Sequence, residues 1–295
     1  MGSKIVYYIF IIPLSILPLW VLHGISSFFY VIIYFVFGYR KKVIRPNLER
    51  SLPHLSKKEI RRVERQFYQH FCDIVVESLK NFTISEKQVK KRFVIHNADI
   101  ADRFYDQGRD VIIAGGHYNA WELYALAMPL FHKHTGVGIY KPLSNPFFDK
   151  KMRKSRERFG LKLLSMKDST RHFAGTEDNT IRAFIMGGDQ SPSNPEKAYW
   201  MTFLNQDTGV LFGTEKYAKT YNIPVLFGKA TKVKRGHYSL TYELLFDEPS
   251  TQEYGVITER HTKTLEKQIL DKPQFWLWSH RRWKHKRPKD SNRNE

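Results

Sequence analysis

The chain reads as an α/β protein: a mostly parallel central sheet flanked by helices, with an N-terminal hydrophobic membrane helix segment. Three observations lead there. Short apolar runs, such as residues 111–114 and 181–186, alternate with longer segments of helical period, and that alternation builds a parallel sheet. Several of these runs end in polar turns: Gly115-Gly116-His117, Lys141-Pro142 and Gly187-Gly188-Asp189. Between Ile5 and Tyr39 there is no Lys, Arg, Asp or Glu.

That charge-free run holds about 35 residues, about 50 Å of continuous helix against a hydrocarbon core of about 30 Å. Pro13, Pro18 and Gly24 interrupt it. It is too long for a signal-peptide core and no small-residue cleavage site follows, so it is expected to be retained. It would form one tilted span with an interfacial piece, or two kinked segments entering one leaflet. Arg40, Lys41, Lys42 and Arg45 follow at once, which puts the rest of the chain in the cytoplasm by the positive-inside rule. The expected division is therefore an anchor over 1–38, an α/β domain over 39–283 and a charged tail over 284–295.

Within the domain, Ser56 and Glu59 have capping-box spacing, and Ile60, Val63, Phe67, Phe71, Ile74 and Val75 continue at helical period to about Asn81. Strands are expected over 92–96, 110–114, 137–140, 181–186 and 225–230, with an edge-type alternating strand over 238–246. Helices are expected over 121–132, 147–159, 213–221 and 253–270, the last ended near Pro273. Residues 191–199, polar and with two prolines, read as a loop.

The 295 residues carry a net charge of +19 and a single cysteine, Cys72. One cysteine excludes an internal disulfide and a cysteine zinc site. The charge favours anionic partners: nucleic acid, anionic lipid or an acidic protein. A nucleic-acid binder has no need of the anchor, so nucleic acid is not expected as a partner.

The expected site is built on His117. A histidine beside a carboxylate at a strand end is a natural general base, because the carboxylate fixes the tautomer and stabilises the imidazolium. Glu122 is the near carboxylate. On one straight helix the two would sit about 140° apart, so they can meet only if His117 lies on the turn and Glu122 in the first helical turns. In open α/β sheets, sites form beyond the carboxyl ends of strands. The runs before His117, Lys141 and Asp189 all end there. Lys141, Asn145 and Arg158 lie near the second of these ends, and Lys and Arg suit phosphate. Asp189 and Gln190 follow the third. The segment Trp276 to Lys284 holds three tryptophans that either stack on a partner or pack into the core.

Together these segments resemble the late, lauroyl/myristoyl, acyltransferases of lipid A biosynthesis, within the glycerolipid-type acyltransferases. The resemblance covers nearly the whole chain. It is carried by Tyr39-Arg40-Lys41-Lys42, Asn47-Leu48, His117 with Glu122, Tyr140-Lys141-Pro142, Asn145-Pro146, Arg158, Asp189-Gln190 and the Trp278-Ser279-His280-Arg281-Arg282-Trp283 ending. It departs at Lys141, where the family usually has arginine. The resemblance implies transfer of a fatty acyl group from acyl-acyl carrier protein to a hydroxyl of a phosphorylated glucosamine lipid, forming an acyloxyacyl ester at the cytoplasmic face of the inner membrane. The alternative is acylation of a glycerophospholipid or amino-acid lipid. In this reading His117 is the base, Glu122 holds and polarises it, and Lys141, Asn145, Arg158, Asp189 and Gln190 bind substrate. A thioester is already activated, so no metal, cofactor or nucleophilic side chain is expected.

Overall fold

The computed structural model describes residues 2–166, 168–173 and 179–289, so the last residues of the expected tail lie outside the described residues. The core is one seven-stranded sheet built from β1 (Phe93–Ile95), β2 (Val111–Gly115), β3 (Thr135–Tyr140), β4 (Lys162–Ser165), β5 (Arg182–Gly187), β8 (Val225–Lys234) and β9 (His237–Phe246). A separate hairpin pairs β6 (Tyr199–Phe203) with β7 (Gln206–Val210). The order in the large sheet is β1-β9-β8-β2-β5-β3-β4. All neighbours are parallel except β8 and β9, which form an antiparallel ribbon.

The register puts Gly115, at the end of β2, opposite Gly187, at the end of β5. Both strands therefore stop at one level, and the turns leaving them face each other. These two strands and the neighbouring β8 are apolar and buried: Val111, Ile112, Ile113, Ala183, Phe184, Val225 and Leu226 form the central layer. This is the near-continuous hydrophobic pattern of strands covered on both faces.

Helix Lys57–Lys80 starts at the capping box that the spacing indicates: Ser56 Oγ accepts from the Glu59 N–H and the Glu59 carboxylate accepts from the Ser56 N–H. Several details differ from expectation, beyond shifts at element ends such as helix Pro146–Arg156 and β8. Residues 238–246 lie between β1 and β8, not at an edge, and Tyr238, Leu240 and Tyr242 are buried. The helix after His117 is Trp121–Ala127, and a short 3₁₀ turn at Met128–Leu130 accommodates Pro129. The last long helix is Val256–Asp271, because Gly255 (φ 88°) occupies the left-handed region just before it. Tyr199, placed in a loop by its proline-rich surroundings, opens β6.

The N-terminal segment does not stand apart from the domain. Leu19–Val36 is long and apolar enough to cross a membrane, with mean hydropathy 1.9, and 17% of it is buried. Leu17 and Pro18 are extended and separate it from the preceding helical residues. Its inner face runs along helix Lys57–Lys80 through polar contacts. The His23 ring meets Glu77 at 2.9 Å, and the Ser26 hydroxyl donates to Asp73 at 2.7 Å. Lys80 donates to the main-chain carbonyls of Ser15, Ile16 and Leu17, capping the end of the first helical stretch. The outer face is apolar and open: Ile9, Phe10, Ile16, Trp20, Phe28, Phe35, Val36 and Phe37 are all exposed.

Candidate active site

The turn after β2 is made by three local devices. A Cβ on Gly116 would come within 3.0 Å of the Asp189 carboxylate and 2.7 Å of Leu265, so only glycine lets the carboxylate close in. Asn119 adopts φ 58°, the left-handed region where asparagine is tolerated. Its N–H donates to the Phe275 carbonyl and its amide to the Ala230 carbonyl, so the C-terminal segment and β8 clamp the turn. Tyr118 bridges to Trp276. His117 is thereby held before the helix and Glu122 falls in its first turn.

That arrangement meets the positional condition set by the spacing, but the partner differs. His117 pairs with Asp189: Nδ1–H donates to Oδ1 at 2.7 Å, and the His117 backbone N–H donates to Oδ2 at 2.7 Å. The Trp276 indole N–H donates to Oδ2 at 2.8 Å. Glu122 instead receives a fork of two bonds from Arg156, at 2.8 and 2.6 Å. The reason is helical geometry. Trp121 sets its ring edge-on to His117, centroids 5.4 Å apart. Glu122, one residue on, is turned by about 100° and faces helix Pro146–Arg156.

The carboxylate fixes the tautomer. Asp189 is deeply buried and can only accept, so Nδ1 carries the proton and Nε2 presents a lone pair. The Gln190 amide nitrogen lies 3.1 Å from Nε2 and donates to it. The imidazole keeps 26% of its side-chain surface open, so a hydroxyl that displaces the Gln190 amide has a route to that nitrogen. Burial works to lower the His117 pKa, but the Asp189 charge and hydrogen bond, with Glu122 behind them, outweigh it and raise it above the ordinary value. Burial pushes Asp189 the other way, yet the His117 charge and the donated hydrogen bonds hold it down at about 2. Asp189 is therefore ionised across neutral pH, and its charge favours the imidazolium form of His117.

A pH profile follows from these signs. Base catalysis needs neutral His117, so kcat/KM should fall on the acid side through a pKa above the usual histidine value. Asp189→Asn removes the charge that raises it and leaves burial, which lowers it. The acid limb should move to lower pH while turnover drops. A limb that stays in place would detach the pair from the proton transfer.

The remaining expected residues have other occupations. Arg158 donates to the main-chain carbonyls of Asn81 and Ile84, at 2.9 and 2.8 Å, tying down the end of helix Lys57–Lys80. Two residues earlier, Arg156 holds the place facing Glu122. Asn145 caps helix Pro146–Arg156 by accepting from Phe147 and Phe148, and donates to the Ser3 hydroxyl at 2.8 Å. Lys141 stands exposed just past β3. Cys72 is buried, and burial, with the Asp73 charge, pushes its thiol up to about 12, so it is no nucleophile. Arg158→Ala should lower Tm, since each lost bond from a charged donor costs about 1.5–3 kcal/mol. KM for phosphorylated acceptors should hardly change; a selective rise in that KM would instead place Arg158 on the phosphate.

The C-terminal tryptophans belong to the core. Trp278 is fully buried and Trp276 nearly so, with ring centroids 4.8 Å apart. Asn47 donates to the carbonyls of Trp278 and His280, and Arg40 to that of Ser279. The His280 Nε2 accepts from the Ser191 N–H at 3.0 Å, pinning the loop just after Gln190. Burial takes its pKa down to about 4, so it stays neutral. Trp276 and His280 thus act on the site through Asp189 and its loop. Neither is recognisable from spacing alone, because their targets lie far along the chain.

A histidine oriented by a buried carboxylate, its lone pair at the open end of a parallel sheet, defines a site for activating a hydroxyl. Comparison with known proteins gives the family. The model of the bacterial lipid A biosynthesis acyltransferases matches residues 3–285, and the chain belongs to that family. A lipid A biosynthesis palmitoleoyltransferase and a lauroyltransferase of Escherichia coli (strain K12) are each 23% identical, over 83% of this chain and 79% of theirs. A lipid A biosynthesis acyltransferase of Haemophilus influenzae is also 23% identical, over 83% of this chain and 78% of its own. The protein is an acyltransferase of lipid A biosynthesis.

Proposed function

We propose that the enzyme moves a fatty acyl group from acyl-acyl carrier protein to a hydroxyl on an acyl chain of a phosphorylated glucosamine lipid, working at the cytoplasmic face of the inner membrane. The observation that carries this reading is the His117 Nε2 lone pair, fixed by Asp189 on a partly open ring and covered only by the Gln190 amide. The acceptor hydroxyl displaces the Gln190 amide and gives its proton to Nε2. Its oxygen attacks the thioester carbonyl and a C–O bond forms. The tetrahedral intermediate collapses with loss of the C–S bond, and the departing thiolate takes the proton from the imidazolium. Asp189 stabilises that imidazolium and fixes its orientation. The Gln190 amide, released from Nε2, is a donor within reach of the developing oxyanion.

Glu122 and Arg156 form the polar wall beside Trp121, and their opposed charges both act on His117. In this reading they position the acceptor. Lys141, exposed beyond β3, meets its phosphate as a point charge. The +19 charge suits an acidic carrier protein and an anionic membrane. The open apolar face of the N-terminal helices lies on that membrane, its polar inner face kept on the domain.

Purified enzyme given acyl-acyl carrier protein and a hydroxyacylated glucosamine lipid should yield one added ester by mass spectrometry. The same acceptor lacking the hydroxyl should give none. Equal acylation of a glycerophospholipid would favour the alternative acceptor. Transfer from acyl-coenzyme A at the same rate would remove the carrier protein from the proposal.

A further inference from the structure

Away from His117 the structure has a cavity lined mostly by polar side chains, about 450 Å³ in volume. It lies between the inner face of helix Leu19–Val31, helix Lys57–Lys80, the far end of β8 and the segment at Gln274 and Phe275. Phe275 is its wall toward the site, because the Phe275 carbonyl holds the Asn119 N–H. The cavity is thus on the β8 side of His117, while Glu122 and Arg156 lie on the β3 side.

Its two cations share one carboxylate, and Arg235 is fixed further by donating from Nη2 to the His23 carbonyl and the Ser27 hydroxyl, which leaves Nη1 to face a ligand. Asp73 takes three hydrogen bonds from the Arg235 guanidinium, one from Ser26, and lies 3.6 Å from the Lys232 ammonium. One carboxylate between two cations leaves one net positive charge. Lys232 also lies 3.2 Å from His70 Nδ1. An ammonium only donates, so Nδ1 is bare and buried His70 is neutral. Among the described residues, the carboxamides of Gln66, Gln69 and Gln274 and the Tyr30 hydroxyl have no protein partner. Carboxamides both donate and accept, which matches sugar or glycerol hydroxyls, while lysine and arginine match phosphate. The volume is in the range of small-ligand sites. One wall is Ser26, Ser27 and Tyr30, beside the exposed Phe28 and Phe29.

We propose that this cavity is a head-group site for a phosphorylated, hydroxyl-bearing lipid, with Lys232 and Arg235 taking the phosphate and the three glutamines the hydroxyls. The lipid's tails leave across the apolar face beside Phe28. The approach of a lipid from this side rests on the membrane-docked reading of the N-terminal helices; the head-group chemistry does not.

The full chain in detergent micelles should be melted with glycerol 1-phosphate, glucosamine 1-phosphate or inorganic phosphate. The two polyol phosphates should raise Tm saturably, by roughly 3–8 °C at ligand about a hundredfold above Kd. Lys232→Gln should abolish the rise. Gln69 is exposed and unpartnered, so Gln69→Leu should fold normally and weaken the polyol phosphates by about two- to tenfold. Preference for glucosamine 1-phosphate supports the site with the acceptor lipid as occupant, and preference for glycerol 1-phosphate supports it with a phospholipid. The proposal is overturned by no rise, by an equal rise with inorganic phosphate, or by a rise indifferent to both substitutions. Flotation on phosphatidylcholine vesicles tests docking separately: a protein that fails to float but keeps both ligand effects retains the site and loses the membrane reading.

Discussion

His117→Asn should lower kcat by about 10²–10⁴ without lowering Tm, the range expected for loss of a general base. The choice of asparagine follows from the geometry. The Asn amide can stand where Nδ1–H stands and keep the 2.7 Å donation to Asp189. It has nothing at the Nε2 position. His117→Ala should lose the same turnover and also lower Tm, because Asp189 is buried and would be left with only the His117 backbone N–H and the Trp276 indole. The pair of variants separates chemistry from structure. If His117→Asn turned over at the wild-type rate, Nε2 would not be the base, and the Asp189 contact would be only a fold-stabilising one.

The parts of this site legible in the amino-acid order are those governed by local rules. A strand ending in Gly115-Gly116 must turn, and His117 must lie on that turn. The capping box at Ser56 and the apolar run into β2 are equally local. Which carboxylate meets His117 is not local. Glu122 is five positions away but turned aside by Trp121, whereas Asp189 arrives from the neighbouring strand because β2 and β5 stop at the same register. Arg156 and Arg158 look interchangeable in a basic stretch. The α-helix ends at Arg156 and Arg158 lies in the 3₁₀ turn that follows, roughly 200–240° further round, so one faces Glu122 and the other the carbonyls of Asn81 and Ile84. The alternation in residues 238–246 suggests an edge strand, but β1 pairs along its outer side. Pairing of distant segments decides each of these cases, and periodicity is silent about it.

Deleting residues 1–38 should destabilise the protein rather than release a soluble, active domain. A simple tether would contribute no core. This segment contributes Leu22, which is fully buried, and Tyr7 and Tyr34, which are nearly so. Burying a side chain of that size is worth about 1.5–3 kcal/mol, so three contribute roughly 4–9 kcal/mol. Net stability of a domain is only about 5–15 kcal/mol. Removal also opens the Tyr68 side of helix Lys57–Lys80, on which Tyr34 packs with ring centroids 5.1 Å apart. The truncated chain should therefore aggregate or melt far below the full chain. Milder variants test the same joint without uncovering apolar surface. His23→Ala takes away a partner of Glu77, and Ser26→Ala a donor to Asp73. Each should lower Tm in detergent micelles while leaving vesicle flotation intact, because the outer apolar face is untouched. A truncated protein that stays monomeric and melts like the full chain would make the segment a tether, and its polar contacts with Asp73, Glu77 and Lys80 incidental to folding.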